Sequence, residues 1–336
     1  LAAIGFADPK GALTHIAALT SGLSRRAAIQ RQLLPVLLEW FTKGTDPDAA
    51  LLAFRRLSED LGESHWYLRM LRDSSGAAER MTQVLSNSKL ATALFERSPE
   101  AAAWFESLDD LQPLTVEVLS QELEALATRH TDLENLVAAL KQVRRRETLR
   151  VAMGAVLGTL TIEDVSDGLS GLTELYLRGI LDAVVRLGGI ADSQTVSDTI
   201  DFGIVAMGRF GGQELGFGSD ADLMYVYRAI GQPEAAQRLA EAIVAEIKRL
   251  SADHLLEFEI DLDLRPEGKN GPVARSIESY RAYYERWADT WEAQALLRAR
   301  PIAGSVELQS EFAALIDLHR YPKKLEQSAI TEIRRI

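Results

Sequence analysis

No cysteine occurs among the 336 residues. Disulfides and thiolate metal centres are thereby excluded, and the composition suits a cytoplasmic setting. No apolar run approaches the roughly 18 residues that a membrane-spanning helix needs. No charged-then-apolar signal segment opens the chain. Positive charge is in deficit: 37 Lys and Arg stand against 49 Asp and Glu, giving a formal net charge of −12. Such a chain lacks the basic footprint of a nucleic-acid binder, although a local basic patch stays open. Histidine is sparse too. His15, His65, His130, His254 and His319 include no pair at metal-ligand spacing, so they are read as surface or packing residues rather than zinc ligands.

What is present is apolar residue in quantity, 47% of the chain, enough for a large core. At roughly 100–200 residues per domain, two domains are expected. The chain begins without Met and stops inside a helix-like run, SAITEIRRI, which reads as part of something longer. Up to about Gly158 the periodicity is helical. Ser24 caps SRRAAIQRQLLPVLLEWFTK, with Pro35 as a kink. Asp46 with Pro47 opens DPDAALLAFRRLSEDLG, and SPEAAAWFESL repeats that cap-then-proline start. LTVEVLSQELEALATRH and DLENLVAALKQVRRRETLRVAMGAVLG follow as longer helices, with Gly154 a candidate break in the second. A further helix is expected over about 163–187. The basic run Arg144–Arg150 reads as a solvated helix face, or alternatively as a docking patch for an acidic partner.

Beyond the polar stretch ADSQTVSDTID the period changes. FGIVAMG and ADLMYVYR read as buried strands, PEAAQRLAEAIVAEIKRLSA as an amphipathic helix, and LLEFEIDLDLRP alternates as a strand should. SIESYRAYYERWADTWEAQALLRAR returns to helix. Its Tyr280, Tyr284, Trp287 and Trp291 form a stripe at helical spacing, read as core. An α/β domain after a helical one is the expected organisation.

Within GFGSDADLMYVY, Asp220 and Asp222 fall on one strand face. Carboxylates about 7 Å apart repel unless a cation sits beside them. Oxygen ligands in this pattern suit Mg²⁺ shared with substrate phosphates; a solvated strand end is the plainer alternative. The preceding MGRFGGQELGFGS places Gly208, Gly211, Gly212, Gly216 and Gly218 close together. Such a stretch lets backbone N–H groups approach a phosphate, with the Ser219 hydroxyl beside them. It matches neither the Walker nor the dinucleotide glycine pattern. Downstream, Glu257, Glu259, Asp261 and Asp263 share one face of the alternating segment. One of them beside Asp222 would complete a three-carboxylate site able to hold two metal ions, and Arg265 and Lys269 could balance phosphate charge. An exposed edge strand accounts for the remaining acids.

In order, GRFGGQELGFGSDADLMYVY, DLDLRPEGKNGP and TWEAQALLRARPIAG resemble the signature blocks of the glutamine-synthetase adenylyltransferases, bifunctional enzymes that attach and remove AMP on glutamine synthetase. The resemblance is close over about 202–304 and looser over LAAIGFADPKGALTHI and SRRAAIQRQLLPVLLEWF. It implies an α+β multidomain chain. A helical domain would cover 1–165. A nucleotidyltransferase domain of the DNA-polymerase-β type, with a small mixed sheet, would cover 166–304. The start of a further helical region would cover 305–336.

By position, the resemblance makes Asp220 and Asp222 the paired metal ligands and Asp261 the third. Gly218, Ser219, Arg265 and Lys269 would bind the nucleotide, ATP, with two Mg²⁺. Where relatives often carry Arg two residues after the third aspartate, this chain has Asp263, which puts any role of that arginine in doubt. The resemblance further implies glutamine synthetase and a PII-type signalling protein as partners, with no nucleic acid and no membrane. Relatives carry one adenylylating and one AMP-removing half. The GFADP opening is similar to the lead-in of the adenylylating half, which is the expectation; RPEG also occurs in the removing half of some relatives. A non-catalytic module sensing a nucleotide or effector is the rival of another class.

Overall fold

The computed structural model describes residues 1–287 and 290–321. Two compact units are distinguished. One comprises Leu1–Leu114 with Arg145–Val165, the other Thr115–Arg144 with Ser166 onward.

The first unit is helical. It contains α1 (Pro9–Thr20), α2 (Arg25–Phe41), α3 (Pro47–Asp60), α4 (His65–Asp73), α5 (Ser75–Asn87) and α6 (Lys89–Phe95). Short polar side chains start these helices: Ser24 accepts from Ala27 N–H at 3.2 Å and Asp46 from Ala49 N–H at 3.0 Å, satisfying amides that have no intrahelical partner. The cap-then-proline start at Ser98 leads into a 3₁₀ helix, Pro99–Glu106, whose cap side chain makes no such bond. Phe41, Phe54, Phe95 and Phe105 fill the core.

Then come α7 (Val116–Arg129), α8 (Leu133–Leu157) and α9 (Ile162–Leu187). Helix α8 runs unbroken through Gly154, because one interior glycine costs only about 1 kcal/mol and packing outweighs that. Residues 115–144, expected to belong with the helical domain, group instead with the second unit. Within that unit α8 and α9 pack closely: a Cβ on Gly179 of α9 would stand 3.1 Å from the Leu140 side chain of α8.

The basic run is not a solvated face. Arg144, Glu147 and Arg150 are buried. In the second unit, the Arg144 guanidinium lies 4.5 Å from the Phe258 ring and 5.5 Å from Tyr176. In the first, Arg150 stacks 4.0 Å from the Trp104 ring and bonds Glu147 at 2.8 Å. Burial of these cations is tolerable because each meets an aromatic face and fixed acceptors.

The remainder of the second unit holds α10 (Ser193–Thr199), β1 (Ile200–Ala206), α11 (Gly208–Gly211), β2 (Ala221–Ala229), α12 (Pro233–Ser251), β3 (Ile260–Asp261), β4 (Arg275–Ser276), α13 (Ile277–Arg286), α14 (Thr290–Ala295), β5 (Arg300–Ala303) and α15 (Val306–Arg320). Strands run in the order β3-β2-β1-β5, with β4 also on β2. The pairs β1–β2 and β1–β5 are antiparallel, whereas β3 and β4 run parallel to β2. The sheet is therefore small and mixed. Met224 and Val226 face a core with Tyr280, Tyr284, Phe312 and Leu315 from α13 and α15. Alternation sends Leu223, Tyr225 and Tyr227 to the opposite face, and α12 packs against β1 and β2.

Two expectations about this region are corrected. The alternating segment after α12 pairs only at Ile260–Asp261; Glu257 and Glu259 are exposed outside any strand. The aromatic stripe is divided as well: Tyr280 and Tyr284 are buried, but Trp287 is 71% exposed. The helix carrying it ends at Arg286. Of the expected C-terminal helical region, α15 is seen; the run SAITEIRRI lies outside the described residues.

Candidate active site

Strand β1 ends at Ala206, and Met207 N–H donates to the Asp222 carbonyl at 2.8 Å. The chain then turns through Gly208, whose φ of +52° lies in the left-handed region. A Cβ there would stand 2.2 Å from Asp222 Oδ2 and 3.3 Å from Leu264 Cδ1. Glycine at 208 thus leaves room for the Asp222 carboxylate. The loop that follows is held by Leu215 N–H donating to Ser170 Oγ at 3.3 Å. It closes with Gly216 N–H on Ser219 Oγ at 3.0 Å and Ser219 N–H on the Gly216 carbonyl at 3.2 Å. At Gly218 a Cβ would meet nothing within 4 Å, so Gly218 and Ser219 border open space.

Asp222 and Asp261 are direct register partners on parallel strands, and so project from one sheet face. Ala221 N–H, donating to the Glu259 carbonyl at 2.9 Å, secures that register. Asp220 precedes β2 and is exposed. Burial, followed by the charges of Asp261, Asp220 and Asp263, pushes the Asp222 carboxyl above its ordinary range. Asp263, rather than Glu259, is therefore the fourth acid felt at Asp222. It also pairs with Lys269 at 3.1 Å, so Lys269 neutralises a carboxylate beside the site.

The acids do not share one point. Among the described residues, no three His, Asp or Glu side chains gather closely enough to hold a metal ion. One cause is local: Asp261 Oδ1 is turned to its own loop by the Asp263 N–H at 2.6 Å. The donor set nevertheless fits a hard divalent cation. Carboxylate oxygens from neighbouring strands, one with its proton affinity raised by the others, are stabilised by positive charge.

Arg265, expected on phosphate, is buried and occupied elsewhere. It donates to the carbonyls of Gly271 at 3.2 Å, Leu262 at 2.6 Å and Lys269 at 3.2 Å. The planar fork matches three carbonyls turned inward by this loop, so Arg265 braces the segment that carries Asp261 and Asp263.

A second brace has no counterpart among the expected site residues. Glu292 is buried and accepts Glu267 N–H at 3.1 Å and the Tyr283 hydroxyl at 2.8 Å. Burial and this carboxylate push Tyr283 up to about 12, so it stays a donor. The sequence offers little signal for it beyond an acid directly after Trp291 in TWEAQALL.

The family profile of glutamate-ammonia ligase adenylyltransferase matches residues 78–315. The chain belongs to that family. It is similar to the bifunctional glutamine synthetase adenylyltransferase/adenylyl-removing enzymes of several organisms. Identity is 56% over 338 residues with that of Leifsonia xyli, 46% over 363 residues with Streptomyces avermitilis and 39% over 349 residues with Mycobacterium tuberculosis strain H37Rv. Each match covers 100% of this chain but 33%, 35% and 34% of those proteins; the chain spans about a third of their length. No helix among the described residues is long and apolar enough to cross a membrane.

Proposed function

We propose that this chain is a nucleotidyltransferase unit of the DNA-polymerase-β type that transfers AMP from ATP to a tyrosine of glutamine synthetase in the cytoplasm. The observation that carries the reading is the register of Asp222 with Asp261, with Asp220 two residues before Asp222. Asp220, Asp222 and Asp261 would hold Mg²⁺, which when bound supplies charge neutralisation for the phosphates. Gly218 and Ser219, bordering open space, would take triphosphate oxygens. The tyrosine oxygen attacks the α-phosphorus and the bond to pyrophosphate breaks. The tyrosine proton passes to Asp261 at Oδ2, the oxygen not engaged by Asp263. Attacking and leaving oxygens lie in line, so these residues act by positioning and by stabilising charge. A PII-type protein would act as a signalling partner.

The opening GFADP supports the adenylylating direction; RPEG favours the second reading, phosphorolysis of AMP-tyrosine. The two draw on the same aspartates and differ in their small-molecule requirement. With α-labelled ATP and Mg²⁺, we expect label on unmodified glutamine synthetase with phosphate dispensable. Release of ADP from pre-adenylylated glutamine synthetase only on addition of phosphate would reverse the assignment. No turnover in either direction would leave the non-catalytic sensor.

A further inference from the structure

The two cations expected on the nucleotide are taken, Arg265 by three carbonyls and Lys269 by Asp263. The arginines that flank the glycine-rich turn at β5 are paired as well, Arg298 with Glu214 and Arg300 with Glu174. Arg209 is placed differently. It follows Gly208, the residue whose missing side chain makes room for the Asp222 carboxylate. Both its backbone and its side chain are tied to Glu214. Glu214 N–H donates to the Arg209 carbonyl at 2.8 Å, and Arg209 Nε donates to the Glu214 carbonyl at 3.1 Å. Gln213 turns the chain between them through a φ of +59°, in the left-handed region. This reciprocal pair holds the side chain in place, so a ligand has little ordering left to impose. Arg209 is nonetheless exposed and makes no ion pair among the described residues.

The position of the guanidinium sets what it can meet. A Cβ at Gly216 would stand 3.7 Å from Arg209 Nη2 and 3.7 Å from Ser219 Oγ. The guanidinium and the Ser219 hydroxyl therefore face the same side of Gly216, no further apart than twice that distance. Glycine at 216 leaves the gap between them free of a side chain. Ser219 Oγ already accepts from Gly216 N–H, which leaves its O–H to donate.

We propose that Arg209 is the cation that meets the triphosphate, its Nη groups donating to phosphate oxygens alongside the Ser219 hydroxyl. A guanidinium suits the task because its fork offers paired donors to a phosphate. Its charge also offsets the repulsion of Asp220 and Asp222 toward the nucleotide. The proposal rests on the reading that ATP occupies this site. The test is hydrogen exchange of residues 212–222 in the full-length protein, read by mass spectrometry against rising ATP or inorganic tripolyphosphate with Mg²⁺. Occupancy of this one site is thus measured without turnover. In wild type both ligands should slow exchange there, at concentrations that rise with salt. Arg209→Gln should need about tenfold more of either ligand, and Arg209→Lys, which keeps the charge but not the fork, about threefold more. If Gln and Lys weaken ATP equally, Arg209 is only a brace for Glu214 and the proposal fails. A loss for ATP that tripolyphosphate does not share would also overturn it. No protection of wild type by either ligand would sink the nucleotide reading and the proposal together. A protected wild type with an unchanged Arg209→Gln variant would sink the proposal alone.

Discussion

Burial and three neighbouring carboxylates raise the Asp222 carboxyl above its unfolded value. A carboxyl raised on folding contributes stability that is present below its unfolded pKa and is lost as pH rises through the folded one. Asp222→Asn should therefore raise the melting temperature of the metal-free protein at pH 7. The gain should not exceed about 2–3 °C, since the half-buried group is screened by solvent. It should fade toward pH 4 and below, where the aspartate itself becomes protonated. The same variant should lose Mg²⁺-dependent transfer. A lower melting temperature at pH 7 would instead make the carboxylate a structural acceptor. Arg265→Lys tests the other residue-scale result. Lysine keeps the charge but lacks the fork for three carbonyls, so a loss of about 2–3 kcal/mol in urea unfolding is expected. Unchanged stability with a raised KM for ATP would return Arg265 to the phosphates. Alternation placed Asp220 and Asp222 on one face because it depends only on near neighbours in the chain, but it left Asp261 as one of four acids on a face, which the resemblance alone singled out. The brace role of Arg265 was not, since it depends on where a folded loop turns its carbonyls.

Elements were legible to the extent that their signals are local. Caps and proline starts marked α2 and α3, and short apolar runs stopped by glycine or charge marked β1 and β2. Alternation over LLEFEIDLDLRP described a face pattern, but a strand also needs a partner, and β2 pairs there only through Ala221 and Asp222. The edge strand β5, opening at Arg300-Pro301, escaped notice because four residues are too few for a period. Its junction with the glycine-rich turn is tight. A Cβ at Gly211 would lie 2.0 Å from the Arg298 carbonyl oxygen and 2.6 Å from that of Ala206. Both obstacles are backbone, so relief requires β1 or the approach to β5 to move. Gly211→Ala is expected to cost about 3 kcal/mol or more in unfolding free energy. A melting curve matching wild type would show that the turn has room to shift.

At the scale of the whole molecule, charge and composition make their own prediction. With a net charge of −12, the protein should pass through a heparin column at about 0.15 M salt, where basic phosphate-tracking surfaces are retained. Retention would expose a basic surface that the sum conceals. The grouping into units was legible only in part. Composition and period separated a helical stretch from an α/β one, yet residues 115–144 cluster with the α/β unit. Helical periodicity states that a face is apolar but leaves open which neighbour covers it.

The sequence by itself determined that the first half is helical, with the capped starts of α2 and α3, where two acids flank one alanine at a strand mouth, and which family the blocks resemble. These rest on spacings of two or about 3.6 residues and on ordered motifs, all properties of the chain read along its length. Only the tertiary structure decided that Asp261 stands beside Asp222, that Gly208 makes room for that carboxylate, and that Arg144, Arg150 and Arg265 are buried. Those outcomes depend on strand register and on contacts between residues distant in sequence, where burial and pairing energies select among arrangements that the local pattern leaves equivalent.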